Sequence, residues 1–106
     1  MSRRDHGVTE QDLDQLSSLF RLLSDRTRLS ILLRLTEGER NVTTLCEELG
    51  LPQPTVSHHL GLLRMNNIVS NRRNGKQVFY GLTGPTSNSS VMEFAVQNLV
   101  VHIVER

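Results

Sequence analysis

The spacing of the apolar residues changes from a helical to a strand period near residue 67, and this change limits the folds open to the chain. Before this point leucines recur every three or four residues, as they do on the buried face of amphipathic helices. After it, two short alternating segments flank Asn74-Gly75, a dipeptide that favours the type I′ turn of a β-hairpin. The pattern predicts helices at about 10–23, 25–36, 43–49 and 53–66, strands at 68–73 and 77–82, and a last helix at about 89–105.

Capping and breaking residues support these helix boundaries. Thr9 and Asp12 have the spacing of a capping box, in which each side chain accepts a hydrogen bond from the other's backbone. Gly50 ends the third helix, and Pro54 can stand only in the first turn of the fourth. The predicted caps of the second and third helices are Ser24 or Asp25, and Thr43 or Thr44.

The length of the chain predicts one domain. Its 106 residues suffice for a single compact domain with a modest core, so a second subunit would add useful buried surface. We therefore expect residues 1–106 to form one domain, with residues 1–8 as a flexible tail.

Cysteine content and hydropathy indicate a soluble, cytoplasmic protein. Cys46 is the single cysteine, so neither an internal disulfide nor a cysteine-built zinc site is available within one chain. No apolar run approaches the roughly 18 residues of a membrane span, and the first residues lack the apolar stretch of a signal peptide. A reducing compartment and no membrane partner are expected.

The predicted last helix has a wide apolar surface. One stripe contains Met92, Ala95, Leu99 and Ile103, and valines form a second stripe beside it. Such a surface either inserts into this small domain or pairs with its copy in a second subunit.

Charge is unevenly distributed along the chain. Residues 49–92 contain four basic residues and no Asp or Glu, although the whole chain has a net charge of +1. A surface that faces a polyanion requires such a segment, because each carboxylate would repel phosphates.

The order of elements matches a winged helix-turn-helix, in which the fourth helix enters the major groove of DNA and the hairpin flanks it. The start of that helix is polar and free of acids. Gln can pair with adenine, and hydroxyl groups can bind a base or a phosphate. Basic residues of the hairpin can reach phosphates or a minor groove. The predicted DNA-binding residues are Gln53, Thr55, Ser57, His58, His59, Arg64, Arg72, Arg73 and Lys76.

Three segments resemble the ArsR/SmtB family of bacterial repressors. They are LCEELGLPQPTVSHHLGLLR at 45–64, RRNGKQVFY at 72–80 and LSDRTRLSIL at 23–32. The resemblance extends over about residues 10–105. It implies a mainly α winged helix-turn-helix with a small β-hairpin, in the order α-α-α-α-β-β-α.

The resemblance also implies a homodimer that represses transcription and is released from its DNA operator by a small inducer. Dimerisation in this family uses the first and last helices. The residues that would form the interface here are Leu16, Phe20, Ala95, Leu99 and Ile103.

The family's inducer sites are only half present. One group of family members senses metal through a Cys-x-Cys motif in the third helix. In this sequence Cys46 occupies the first cysteine position of that motif, but Glu48 occupies the second. Sensors of sulfur oxidants need two thiols, and one is available. Cys46 is therefore interpreted as a small, buried residue that braces the motif.

A second metal motif, on the last helix, is incomplete as well. His102 and Glu105 match its second half, whereas Ser89 and Val91 occupy the first. Two ligands per chain are marginal for zinc, which takes three or four. The sequence therefore predicts no metal, no cofactor and no tight zinc binding.

The function predicted is that of a sequence-specific DNA-binding repressor without catalysis. Three alternatives remain open: a metal sensor that uses His102, Glu105 or Cys46, a small thiol enzyme built on Cys46, and a winged-helix module that binds proteins.

Overall fold

The computed structural model describes residues 7–83, 91–96 and 99–104. Four helices precede and interleave with a small three-stranded sheet, and a separate two-stranded hairpin follows. No helix within these residues has the length and apolar content needed to cross a membrane. The elements are α1 (Glu10–Leu23), α2 (Arg26–Leu35), β1 (Arg40–Asn41), α3 (Val42–Leu49), α4 (Gln53–Met65), β2 (Val69–Asn74), β3 (Gln77–Leu82), β4 (Val91–Val96) and β5 (Leu99–Val104).

The first helix begins with the predicted capping box. The Thr9 hydroxyl accepts from the Asp12 backbone N–H at 3.1 Å, and the Asp12 carboxylate accepts from the Thr9 backbone N–H at 3.0 Å. Both N–H groups would otherwise have no intrahelical partner. The predicted bounds of this helix are confirmed.

The caps of α2 and α3 are aspartate and asparagine. Asp25 caps α2 by accepting from the Arg28 backbone N–H at 3.0 Å, as one of the two predicted alternatives. Asn41 caps α3 by accepting from the Thr44 backbone N–H at 2.7 Å, so the prediction of Thr43 or Thr44 as the cap was wrong. Asn and Asp rank above Thr as caps, which agrees with the residue used.

Removing the α2 cap is expected to destabilise the fold. We expect Asp25→Ala to lower the free energy of unfolding by about 1 kcal/mol, and hence Tm by about 4–8 °C. The hydrogen bond from the Arg28 backbone, followed by the positive charge of the Arg28 guanidinium, lowers the pKa of Asp25 below 3.8. The stabilisation is therefore complete above pH 3.8 and is lost as pH falls through the lower, folded-state pKa.

Thermal denaturation between pH 7 and pH 2 tests this prediction. The Tm difference between wild type and Asp25→Ala should shrink below pH 3.8. Asp14→Ala, on the exposed side of α1, is the matched control and should change Tm little. A difference for Asp25→Ala that persists undiminished at pH 2 would contradict the assignment.

The three-stranded sheet has the order β1-β3-β2 and is antiparallel throughout. The hairpin was predicted, but its turn lies one residue later than expected. Asn74 pairs with Gln77, so Gly75 and Lys76 form the connection. Gly75 has a φ of 65°, but Lys76, the second central residue of the turn, has no positive φ, which fits a type II′ turn and not the predicted type I′ turn.

The core lies between the helices and the inner face of this sheet. Its fully buried side chains come mainly from α2, α3 and α4, which pack against each other and against the start of β2. Their spacing is the helical period seen in the sequence. The side chains with no exposed surface are Ile31, Leu32, Leu45, Val56, Leu60 and Leu63.

The predicted last helix at 89–105 was wrong over the residues that the structure describes. Residues 91–96 and 99–104 form the antiparallel strands β4 and β5, with Val96 paired to Leu99. Half of the residues in these strands are Val or Ile, which are stiff at χ1 and favour strands over helices. Val101 packs against the core, and β4 lies against α1.

This change of secondary structure divides the predicted interface stripe. Ala95 pairs with Val100, whereas Leu99 pairs with Val96 and Ile103 with Met92. Directly paired residues share one face of a sheet, and neighbouring residues alternate between faces. Ala95 therefore belongs to the opposite face from Leu99 and Ile103. These three residues do not form one apolar stripe in the hairpin, so the predicted dimer interface on a last helix does not apply to it.

Candidate nucleic-acid interface

Helix α4 is fixed at its start and anchored along one side. Pro52 is the N-cap with φ −67°, and Pro54 lies in the first turn, where it has no intrahelical N–H partner to lose. Val56, Leu60 and Leu63 are buried and hold the helix against the core. The remaining sides of α4 therefore face outward at a fixed angle.

The exposed side of α4 presents the polar residues that the sequence predicted. Gln53, Ser57 and His58 are exposed, and Thr55 is half-buried. The helix has no acidic residue in its first turn. It also has no side-chain cap, unlike α1, α2 and α3, each of which has a first-turn N–H group occupied by a capping side chain. The partial positive charge at this N-terminus therefore remains available to a phosphate.

His59 differs from the other predicted groove residues. It is half-buried, and its Nδ1 lies 3.3 Å from Nη1 of Arg28. The Nε of Arg28 donates to the Leu22 carbonyl at 2.7 Å. This contact joins α4 to α2, and Nδ1 can accept from the guanidinium only in the neutral ring. His59 is therefore placed to fix the orientation of α4.

The hairpin formed by β2 and β3, called the wing below, carries three exposed basic residues. Arg73 and Lys76 form no ion pair among the residues described. Arg72 does: its Nη2 lies 2.8 Å and its Nε 2.9 Å from Oε1 of Glu39. The same guanidinium lies 5.2 Å from the centre of the Phe79 ring. Two of the three wing cations are therefore unpaired in this part of the chain.

Glu39 was missing from the sequence prediction. It lies outside the acid-free segment 49–92, immediately before β1. Because β1 has only two residues, the sequence shows no alternation that would predict a strand there. The carboxylate reaches the wing only through the folded sheet.

The residues at the family's inducer positions have structural contacts. Cys46 packs against the core, but it is half-buried and not fully buried as the sequence interpretation expected. Its role as a bracing residue stays a prediction. Glu48 forms an ion pair with Arg40, at 3.2 Å between Oε1 and Nε. His102 lies in β5 opposite Glu93, and Glu105 lies outside the described residues. The helical spacing of His102 and Glu105 therefore no longer applies.

Potential metal ligands do not cluster in the described part of the chain. Residues 7–83, 91–96 and 99–104 contain no group of three or more His, Cys, Asp or Glu side chains that could hold an ion. The described arrangement offers exposed polar and basic side chains on α4 and the wing, which suit a polyanion.

Comparisons with known proteins agree on the family to which this chain is similar. The sequence model of the family described as "Bacterial regulatory protein, arsR family" matches residues 25–71, which run from the α2 cap into the wing. Over 83 residues the chain is 42% identical to the biofilm growth-associated repressor of Xylella fastidiosa, a match that covers 78% of this chain and 70% of that protein.

Solved structures agree with this match. The transcriptional repressor BigR from Xylella fastidiosa superposes with a TM-score of 0.67 and 42% identity, over 72% of this chain and 75% of that one. A homodimeric winged helix-turn-helix DNA-binding domain from Mycobacterium bovis, described as a possible ArsR-family regulator, has a TM-score of 0.64 and 31% identity. This superposition covers 79% of this chain and 74% of the Mycobacterium bovis chain.

Proposed function

This chain belongs to the ArsR family of bacterial regulatory proteins, and we propose that it is a homodimeric repressor that binds operator DNA with α4 and the wing. The observation that carries the proposal is the exposed side of α4, which is polar and has neither a side-chain cap nor a carboxylate, together with two wing cations that form no ion pair with any described residue. A helix of this kind fits the major groove, and flanking cations fit the phosphates on either side.

The contacts divide into base readout and phosphate binding. Gln53 and Ser57 are exposed on the first turns of α4 and supply hydrogen bonds to base edges, together with Thr55 and His58. Arg64, Arg73 and Lys76 are exposed and bind phosphates, which hold the protein on the duplex without reading sequence. Arg72 lies on the same wing, but Glu39 already holds its guanidinium.

The proposed dimer uses the exposed apolar side of α1. Phe20 is 52% exposed, and Leu16 is half-buried. The proposed interface also includes Ile103 of β5, which is exposed. Large apolar side chains left in water on one helix indicate a surface that is covered in the assembled protein. The homodimeric domain from Mycobacterium bovis supports a dimer for this fold. Two copies would place two α4 helices on one operator.

Release from DNA follows from the same scheme. A small inducer would lower operator affinity only by as much as it prefers the released conformation over the DNA-bound one. Neither a catalytic step nor a cofactor is part of this proposal.

The direct test selects preferred sequences from a random duplex library and compares them with random DNA at two salt concentrations. We expect affinity for the selected duplex to exceed affinity for random DNA by about 10³-fold or more. Affinity for both should fall steeply between about 50 mM and 200 mM salt. Equal affinity for all sequences would contradict a repressor, and absence of DNA binding at low salt would favour a protein-interaction module.

Base readout by Gln53 gives a more specific prediction. We expect Gln53→Ala to reduce the preference for the selected duplex over random DNA by about 1–3 kcal/mol, because a bidentate contact to adenine is lost. The slope of log K against log salt should not change, because the side chain carries no charge. Gln11→Ala, in the first turn of α1, is the matched control and should leave both quantities unchanged. A Gln53→Ala variant with unaltered preference would remove Gln53 from the readout set.

A further inference from the structure

We propose that Glu39 is a positioning residue for the wing: it holds Arg72 in the free protein, and a DNA phosphate must compete with its carboxylate for that guanidinium. Glu39 thereby limits the affinity of the protein for DNA of any sequence. The inference rests on the proposed DNA-binding function and identifies a residue that regulates its electrostatic part.

The position of Glu39 depends on a glycine in the central strand of the sheet. Arg40 pairs with Tyr80, so the residue before it approaches Gly81 on β3. A Cβ added at Gly81 would lie 3.2 Å from Cγ of Glu39, closer than side chains normally pack. The stem of Glu39 therefore crosses β3 over the bare backbone of Gly81 and reaches Arg72 on β2.

The partners of Glu39 lie on the outer face of the sheet. Tyr80 and Leu82 pack against the core, so the alternating residues Phe79 and Gly81 belong to the opposite face. Arg72 pairs directly with Phe79 and shares that outer face. The side chains of Arg72 and Glu39 are 54% and 45% exposed, so a DNA backbone can approach both.

The carboxylate acts directly on the charge that would bind phosphate. Two N–H groups of Arg72 converge on one oxygen of Glu39, at 2.8 and 2.9 Å. The same hydrogen bond raises the pKa of Arg72, so its charge is always present but is neutralised locally. Water screens an exposed pair of this kind, so it adds little to folding stability, and its effect on an approaching polyanion is the larger consequence.

Removing the carboxylate frees one cation per protomer. While Glu39 holds the guanidinium of Arg72, Arg72 does not neutralise a phosphate in the complex. Without the carboxylate, the guanidinium binds a phosphate. One more phosphate contact then forms in each protomer, and more counterions are released from DNA.

The experiment measures binding of wild type and Glu39→Gln to one random-sequence duplex over a series of salt concentrations. We expect Glu39→Gln to bind up to about 60-fold more tightly at about 0.1 M salt, with a slope of log K against log salt steeper by about 0.9 per protomer, or about 1.8 for a dimer. Glu37→Gln removes the same charge two residues away, where the carboxylate pairs with Arg40 instead of the wing, and should leave the slope unchanged. In an Arg72→Ala background, Glu39→Gln should no longer alter the slope.

The possible outcomes separate this inference from the proposed function. A Glu39→Gln variant with weaker binding or an unchanged slope would overturn the inference, as would an equal gain for Glu37→Gln. Wild type that binds no duplex at low salt would instead overturn the proposed function. Matching thermal denaturation of all variants establishes that the comparison is made between folded proteins.

Discussion

Phe20→Glu is expected to turn the dimer into a monomer and to lower operator affinity by about 10²–10⁴-fold. A carboxylate in the apolar interface would be buried without a partner, which strongly disfavours association. Once the two copies separate, each α4 must bind its half-site alone, and the gain from two linked contacts is lost. Light scattering gives the mass, and titration of the selected duplex gives the affinity.

The design relies on Phe20 being half in solvent within a single chain. At 52% exposure it lies outside the buried core, and Glu is a good helix former, so the monomer should keep its fold. Leu33→Glu is the matched control, because Leu33 is 55% exposed on α2 and is no part of the proposed interface. A Phe20→Glu protein that keeps a dimeric mass would place the interface elsewhere, and a monomeric Leu33→Glu protein would extend it to α2.

Helix α4 was predictable because its signals are local. Two prolines fix its start within a few residues, and the spacing of Val56, Leu60 and Leu63 determines which side is buried. The exposure of Gln53 and Ser57 follows from that spacing alone, because the opposite side of an anchored helix must face outward.

The last segment was not predictable in this way, because two periods fit it equally well. Apolar residues are so frequent in 91–104 that both a helical stripe and an alternating strand can be drawn through it. The content of Val and Ile, which favours strands, was the signal that distinguishes them. The strand pairing from Val91 with Val104 to Val96 with Leu99 follows that preference.

Contacts between side chains distant in sequence were the other failure. Glu39 and Arg72 are 33 residues apart, and Arg28 and His59 are 31 residues apart. Neither pair lies within one helix or one hairpin, so no local pattern reveals it. The sequence therefore predicted which polar and basic side chains lie on α4 and the wing, but not which of them already contact other side chains in the folded chain.

In the proposed complex the wing supplies the electrostatic part of binding. Removing its two cations that form no ion pair within the described part of the chain should therefore produce the second large effect. We expect the double variant Arg73→Ala and Lys76→Ala to reduce the slope of log K against log salt by up to about 3.6, because a dimer loses four phosphate contacts at about 0.9 each. At about 0.1 M salt this corresponds to a loss of up to about 4 × 10³-fold in affinity, for operator and random DNA alike. Titrations of both duplexes at four or more salt concentrations measure the slope.

A charge-conserving exchange at the same two positions separates charge from shape. Arg73→Lys combined with Lys76→Arg keeps both cations on the wing and should keep the slope, because counterion release depends on charge rather than on the geometry of the donor. Both side chains are exposed, so neither variant should alter the fold. If the alanine variant retains the wild-type slope, the wing does not contact phosphates. The slope of log K against log salt could instead fall in both the alanine variant and the charge-conserving variant. That result would mean that the guanidinium at position 73 binds in the minor groove in a way that a lysine there cannot reproduce.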